Sequence, residues 1–179
     1  MAQFARPDAD ISDGTWITQA AGTDLFPQID EASSDDADYI RTALPTGTEA
    51  CIVGLSDVTD PSVSTGHIVR WRAQVLNRVD DTINLAIVLR QGASATIATA
   101  RTGAITDGSW TAGSYTLSGA EADAITDYTD LRFSIVKGGT QDDVGINVQL
   151  SWIELEVPDV AGGTATPVLA AGQYRRYRG

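Results

Sequence analysis

The side chains that could perform nucleophilic chemistry in this chain are few, and no motif connects them. His67 is the only histidine and Cys51 the only cysteine in 179 residues. Nucleophilic catalysis needs a serine or cysteine beside a base that a third group orients, and no motif links such a residue to His67. We therefore expect His67 at the surface, where a strand begins after a turn. Cys51 lies in the apolar stretch EACIVGL, which predicts a buried and inert thiol.

Carboxylates are abundant, but their distribution favours solvated loops over catalysis. The chain has 24 Asp and Glu against 12 Lys and Arg, which gives a formal net charge of -12. The aspartates cluster in the stretches SSDDAD, VDD and QDD, where turn formation and capping are their usual roles. A glycosidase would need two opposed carboxyl groups in a cleft. We therefore predict that the protein is not an enzyme.

The same acidic loops are candidates for a calcium site. Calcium takes several oxygen ligands from carboxylates and backbone carbonyls, and none of these loops has the EF-hand spacing. Bound calcium and a solvated acidic rim are both open on this evidence, and no other cofactor is predicted. The candidate ligands are Asp35, Asp36, Asp38, Asp142 and Asp143, with Asp80 and Asp81 as a further pair.

Exposed aromatic rings form a second kind of candidate site, because a ring face can stack on a sugar. Tryptophans at alternating positions of a strand belong to the core, as we expect for Trp71. Trp110 follows the turn Asp107-Gly108, and Trp152 lies where the strand pattern changes. These two tryptophans are the predicted sugar-binding residues, on the general enrichment of aromatic residues at binding sites.

A third candidate site is the cationic end of the chain, GQYRRYRG. Arginine and tyrosine dominate contact energies at protein interfaces, and the glycine- and alanine-rich segment before them predicts an arm that leaves the acidic body. Nucleic acid is not an expected partner, because the body repels phosphate. The predicted partner-binding residues are Tyr174, Arg175, Arg176, Tyr177 and Arg178, with Phe4 and Arg6 near the other end.

Strands must position these groups, because the apolar residues repeat mostly with period two. The stretch HIVRWRAQV places Val69, Trp71, Ala73 and Val75 on one face and its arginines on the other. Near the end, the apolar parity changes between Leu150 and Ile153. An inserted residue produces such a change, so we predict a β-bulge close to Ser151 and Trp152.

The spacing of strands and turns predicts the fold class and the domain organisation. About eight or nine short strands separated by turns are typical of an all-β fold, an antiparallel two-sheet β-sandwich or jelly roll. Ser118 and Glu121 form a capping box that predicts one short helix from Gly119 to Ile125. We expect an N-terminal arm at residues 1–8, the sandwich at 9–158 and an extended C-terminal arm at 159–179.

Neither a membrane segment nor a signal peptide is predicted. The N-terminus MAQFARPDAD has no apolar core, and no apolar run is long enough to cross a bilayer. We therefore expect a soluble protein that is made in the cytoplasm, with no membrane partner.

Four stretches resemble small structural proteins of tailed phages and prophages. The resemblance spans about residues 9–158 and contains no catalytic signature. It implies a jelly-roll, galactose-binding-like sandwich that is made in the host cytoplasm and localised to the virion. The stretches are ADISDGTWITQAAGTDLFPQIDEASSDDADYIRTAL, GLSDVTDPSVSTGHIVRWRAQ, YTLSGAEADAITDYTDLRFSIV and VQLSWIELEVP.

Two functions from different classes follow as expectations. The first is a non-enzymatic virion structural protein, a capsid decoration or cement subunit. It would be a homo-oligomer whose terminal arms dock onto the major capsid protein or onto copies of itself. The alternative is a carbohydrate-binding module of a phage fibre or head spike that mediates adhesion to the host surface. A neck or tail component is a third possibility.

Overall fold

The strands form where apolar and polar residues alternate, which gives each sheet a buried and an outer face. The computed structural model describes residues 1–43, 48–76, 82–105, 108–140 and 147–160. A 3-10 turn covers Phe26–Gln28 and the helix α1 covers Gly119–Asp123. The strands are β1 (Gln3–Ala5), β2 (Pro7–Ser12), β3 (Trp16–Thr18), β4 (Ile40–Thr42), β5 (Glu49–Leu55), β6 (Ile68–Leu76), β7 (Thr82–Gln91), β8 (Ala95–Arg101), β9 (Thr111–Thr116), β10 (Leu131–Thr140) and β11 (Asn147–Val157).

The strands are arranged as two antiparallel sheets with jelly-roll topology. Sheet A has the order β3-β4-β11-β6-β9, with β1 also paired to β11, and sheet B has the order β2-β5-β10-β7-β8. Among the eight strands from β4 to β11, the first, eighth, third and sixth are neighbours in sheet A. The second, seventh, fourth and fifth are neighbours in sheet B, which is the jelly-roll order. The predicted fold class is confirmed.

The core lies between the sheets and contains the residues that the alternation placed inward. On β6, Val69, Trp71, Ala73 and Val75 are all buried, as predicted. Gly113 of β9 lies opposite Trp71 in the register, and a Cβ there would come within 2.4 Å of the indole. The large ring of Trp71 therefore packs against a strand that glycine keeps free of side chain at that point.

The N-terminal segment belongs to both sheets, so the prediction of an arm at residues 1–8 is wrong. Strand β1 pairs with the end of β11, and β2 pairs with β5. Ala5 and Pro7 are buried on either side of Arg6, where the chain passes from sheet A to sheet B. Strand β1 could not be recognised because three residues are too few for a period-two pattern. Strand β2 begins with Pro7, and proline is unfavourable in a strand except at an edge or at the first residue.

Helix α1 begins with the predicted capping box. Ser118 accepts a hydrogen bond from the backbone N–H of Glu121, and the Glu121 carboxylate accepts one from the backbone N–H of Ser118. The helix ends at Asp123, two residues before the predicted end. Within the described ranges, no helix has the length and apolar character needed to span a membrane.

Candidate functional site

A bulge in β11 determines which side chains reach the outer face of sheet A. The register with β6 shifts between Leu150 and Trp152, as predicted from the change of parity. Before the shift, Val148 and Leu150 point into the core, and after it Ile153 and Leu155 do so. Trp152, Glu154 and Glu156 consequently share the outer face, because successive side chains of a strand point to opposite sides.

These outward residues line an open groove. Phe4 and Arg6 of the N-terminal segment and residues 32–34 also line it. Arg70 contributes from β6, where it lies opposite Glu154 in the register. The groove encloses about 480 Å³, which lies within the range of small-molecule sites. Distant parts of the chain thus meet in one concave surface.

Two arginines and two glutamates form a connected ion-pair network in the groove. The Nε and Nη2 atoms of Arg6 donate to Oε2 of Glu154 at 3.1 and 3.0 Å. Nη1 of Arg70 lies 3.6 Å from Oε1 of Glu154 and also pairs with Glu156. The four side chains hold one another in fixed positions, so the groove presents oriented donors and acceptors without first having to order them.

Glu154 occupies the centre of this network and is only 3% exposed. Burial raises its pKa above the ordinary value, and the Glu156 carboxylate adds to that effect. Arg6 and Arg70 act in the opposite direction, because their positive charges favour the carboxylate form. The arginines are therefore the groups that keep a charged Glu154 compatible with its buried position.

Two aromatic rings border the network. Trp152 is half-buried, and its Nε1 donates to the carbonyl oxygen of Glu31 at 2.8 Å, which fixes the indole against residues 31–34. Phe4 is 38% exposed, and the guanidinium of Arg6 lies 5.0 Å from the centre of its ring. Arg6 thus lies over the ring of Phe4, and part of the Phe4 side chain is open to the solvent.

The structure separates some predicted site residues and brings others together. Phe4 and Arg6, predicted to bind a protein partner, lie in the same groove as Trp152, predicted to bind a sugar. Trp110 is not among the groove residues, and its ring packs against Tyr39 with centroids 5.8 Å apart. The five residues Tyr174, Arg175, Arg176, Tyr177 and Arg178 lie outside the described part of the chain.

Arg70, Glu154 and Glu156 were not predicted from the sequence. The sequence contains a pattern that could have identified the two glutamates. With a bulge at Ser151, Trp152, Glu154 and Glu156 fall on the same face of the strand. Arg70 lies on the polar face of the predicted strand HIVRWRAQV. The pairing of β6 with β11 is the information that the sequence did not provide.

Two of the candidate calcium ligands in the loop before β4, Asp35 and Asp36, accept hydrogen bonds within the protein. The Asp36 carboxylate accepts hydrogen bonds from Nε and Nη2 of Arg72 at 2.6 and 2.7 Å, which lowers its pKa. Asp35 accepts a hydrogen bond from the backbone N–H of Ala37. Asp38 does not form a metal site with Asp35 and Asp36. Among the residues described, no group of three or more His, Cys, Asp or Glu side chains could hold a metal ion. Asp80, Asp81, Asp142 and Asp143 fall outside these residues.

His67 is buried, so the prediction that it lies at the surface is wrong. It has no exposed area, and its Nε2 lies 2.8 Å from the hydroxyl oxygen of Tyr128, which follows α1. The Nδ1 atom has no hydrogen-bond partner. Burial lowers the pKa of His67, an effect that Asp60 opposes, while burial together with Asp60 and Asp123 raises the pKa of Tyr128 to about 12. Cys51 is buried as predicted, and burial raises its pKa.

Acidification from pH 7 to pH 5 is expected to destabilise the wild-type protein more than it destabilises a His67→Gln variant. In the unfolded chain the histidine binds a proton near its ordinary pKa of 6.5, whereas the buried ring binds one only at lower pH. The unfolded state then takes up more protons, so stability is present above pH 6.5 and is lost as the pH falls. Melting temperatures at both pH values measure the effect, and equal decreases in the two proteins would contradict it.

Comparison with known proteins finds similarity at the level of structure only. No protein family matches the sequence, and no curated protein is similar enough to count as a match. The solved structure described as "CBM4 structure and function" is 10% identical with a TM-score of 0.45, over 79% of this chain and 93% of that chain. "Family 16 Carbohydrate Binding Module-2" is 12% identical with a TM-score of 0.40, over 71% of this chain and 82% of that chain.

A further similar structure is the CBM22-1 xylan-binding domain from Paenibacillus barcinonensis Xyn10C. It is 12% identical with a TM-score of 0.38, over 87% of this chain and 98% of that chain. All three TM-scores lie below 0.5, so these similarities carry no argument about the function or the binding residues of this chain. The jelly-roll assignment rests on the strand order itself.

Proposed function

We propose that this chain is a non-catalytic carbohydrate-binding domain that holds a saccharide in the groove of sheet A. The observation that carries the proposal is the combination of two aromatic rings, Phe4 and Trp152, with an ordered set of arginine and glutamate side chains. A ring face accepts the apolar C–H side of a sugar, while guanidinium and carboxylate groups form hydrogen bonds with its hydroxyl groups. Both chemistries are present within one concave surface.

The fixed network supports this proposal because it reduces the cost of binding. Ordering a long side chain costs about 0.5–1.5 kcal/mol on association. Arg6 and Arg70 are already held by Glu154, and Trp152 is held by the carbonyl of Glu31. A saccharide therefore meets groups that are oriented before it arrives.

A binding role fits these carboxylates better than hydrolysis. Glycoside hydrolysis requires two carboxyl groups on either side of the scissile bond. Glu154 and Glu156 lie on the same strand and the same face, and both contact the one guanidinium of Arg70. Neither is placed across the groove from the other, so the proposed activity is binding without bond cleavage.

Replacing Phe4 by alanine is expected to weaken saccharide binding by about tenfold, since loss of a ring contact costs more than 1 kcal/mol at a well-packed site. The full chain is first applied to an array of immobilised glycans. The best ligand is then titrated calorimetrically against the wild type, Phe4→Ala and Ile11→Ala. Ile11 is the matched control, because it is an apolar residue 46% exposed on β2 of the other sheet.

Each outcome of this experiment bears on the proposal. Equal weakening by both variants, or no saturable binding to any glycan, would overturn it. Selective weakening by Phe4→Ala assigns binding to the groove.

The virion setting and the decoration role remain predictions. They rest on the phage resemblance and on residues 174–178, which the structure does not describe. Truncation after Val160 separates the two functions, because the groove residues all precede that position. Saccharide binding by the groove should survive the truncation, whereas attachment to a particle through the C-terminal arm should not.

A further inference from the structure

The two arginines of the groove are both paired with glutamates. A guanidinium in a binding site ordinarily favours an anionic ligand, because its N–H groups form parallel hydrogen bonds to a carboxylate or phosphate. In Arg6 one such edge is occupied, since Nε and Nη2 both donate to Oε2 of Glu154. Arg70 lies between two carboxylates, 3.6 Å from Oε1 of Glu154 and also paired with Glu156. Both arginines are therefore already engaged before any ligand binds.

The burial of Glu154 makes these pairs costly to exchange. Its side chain is 4% exposed, so its carboxylate depends on Arg6 and Arg70 for the interactions that water would otherwise provide. An acidic sugar that drew either arginine toward itself would leave a buried carboxylate with less compensation, which is strongly unfavourable. A hydroxyl group requires no such exchange, because it forms hydrogen bonds beside the existing pairs without adding a charge.

The charges around the groove also oppose an anionic ligand. Among the described residues that line it, two arginines balance two glutamates. In the adjoining loop, burial raises the pKa of Glu31, and the carboxylates of Asp30, Asp38 and Asp35 raise it further. This loop lies beside the groove, since Nε1 of Trp152 donates to the backbone carbonyl of Glu31. An anionic ligand would thus approach a balanced groove against the like charges of its acidic neighbour.

We infer that the groove selects uncharged saccharides over those that carry a carboxylate or sulfate group. This inference rests on the proposed function and specifies the class of ligand. A neutral sugar suits the network, because a guanidinium N–H donates to a hydroxyl oxygen and a carboxylate oxygen accepts from a hydroxyl group. Glu156 is the specificity-determining residue, because its side chain is 22% exposed and its carboxylate is the more accessible of the two.

Calorimetric titration of the full chain with matched pairs of oligosaccharides tests the inference. The members of a pair differ only at C6, where one has a hydroxymethyl group and the other a carboxylate. The pairs are oligomers of glucose and glucuronate, of galactose and galacturonate, and of mannose and mannuronate. In the pair that binds best, we expect the neutral member to bind at least about tenfold more tightly. Equal or tighter binding of the acidic member would overturn the inference and leave the proposed function intact, whereas binding of neither member in any pair would overturn both.

A charge-removing variant tests whether the selectivity arises in the groove. Glu156→Gln keeps the size of the side chain, and we expect the ratio of the acidic to the neutral dissociation constant to fall about threefold or more. Asp24→Asn is the matched control, because Asp24 is exposed and does not line the groove. It precedes Leu25, whose backbone N–H donates to Asp10 of sheet B. An unchanged ratio in Glu156→Gln, or an equal fall in both variants, would overturn the inference.

Discussion

Replacing Lys137 by methionine is expected to lower the free energy of unfolding by about 3–5 kcal/mol. Lys137 and Glu49 are each 1% exposed on their side chains and lie opposite each other in β10 and β5, with Nζ 2.9 Å from Oε1. Without the ammonium group, the buried Glu49 side chain loses its ion pair with Lys137. Urea unfolding followed by tryptophan fluorescence measures the loss.

A double variant tests the cause of this destabilisation. Glu49→Leu combined with Lys137→Met removes both charges and fills the space with apolar atoms, so it should recover most of the lost stability. Glu49 also accepts a hydrogen bond from the backbone N–H of Ala43, so recovery should be incomplete. A double variant as unstable as Lys137→Met would show that the ion pair is not the reason.

Replacing Trp152 by alanine is expected to reduce saccharide affinity by about 30-fold or more, which corresponds to about 2 kcal/mol. The substitution removes the larger of the two rings in the groove, together with its hydrogen bond to Glu31. Titration of the glycan identified on the array measures the affinity. The melting temperature of the variant shows whether the fold is retained.

Two further variants make this result specific to the groove. Trp110→Ala removes a tryptophan that packs on Tyr39 and does not line the groove, so it should bind almost as the wild type does. Trp152→Phe keeps a ring in the groove and should retain most of the affinity. Loss of binding in Trp110→Ala but not in Trp152→Ala would place the sugar site elsewhere.

The β-sandwich could be predicted from the sequence because the alternation of apolar and polar residues is a local property of each strand. Val69, Trp71, Ala73 and Val75 could be assigned to one face without knowing any partner strand. The bulge was predictable for the same reason, since the parity change between Leu150 and Ile153 is visible in the chain itself. The parity of β10 also places Lys137 on the same side as Phe133 and Ile135, so its burial could have been inferred, although its pairing with Glu49 could not.

The candidate site was not predictable because it depends on pairing between distant segments. Arg6, Arg70 and Glu154 meet only after β1 and β6 have paired with β11. The same limit explains His67, whose buried ring contacts Tyr128, 61 residues away in the chain. Residue types near the chain ends suggested arms, but Phe4 and Arg6 are part of the domain.

The one-residue bulge at Ser151 decides which residues of β11 face the solvent beyond it. Ser151 has no paired residue on β6, because Leu150 pairs with Ala73 and Trp152 with Arg72. If Ser151 took a place in a regular register, every later residue would move to the opposite face. Ile153, Leu155 and Val157 would then face outward, and Trp152, Glu154 and Glu156 would point into the core. Deletion of Ser151, in contrast, would give a regular strand that keeps the groove residues outward, so the groove depends on the bulge only while this extra residue is present.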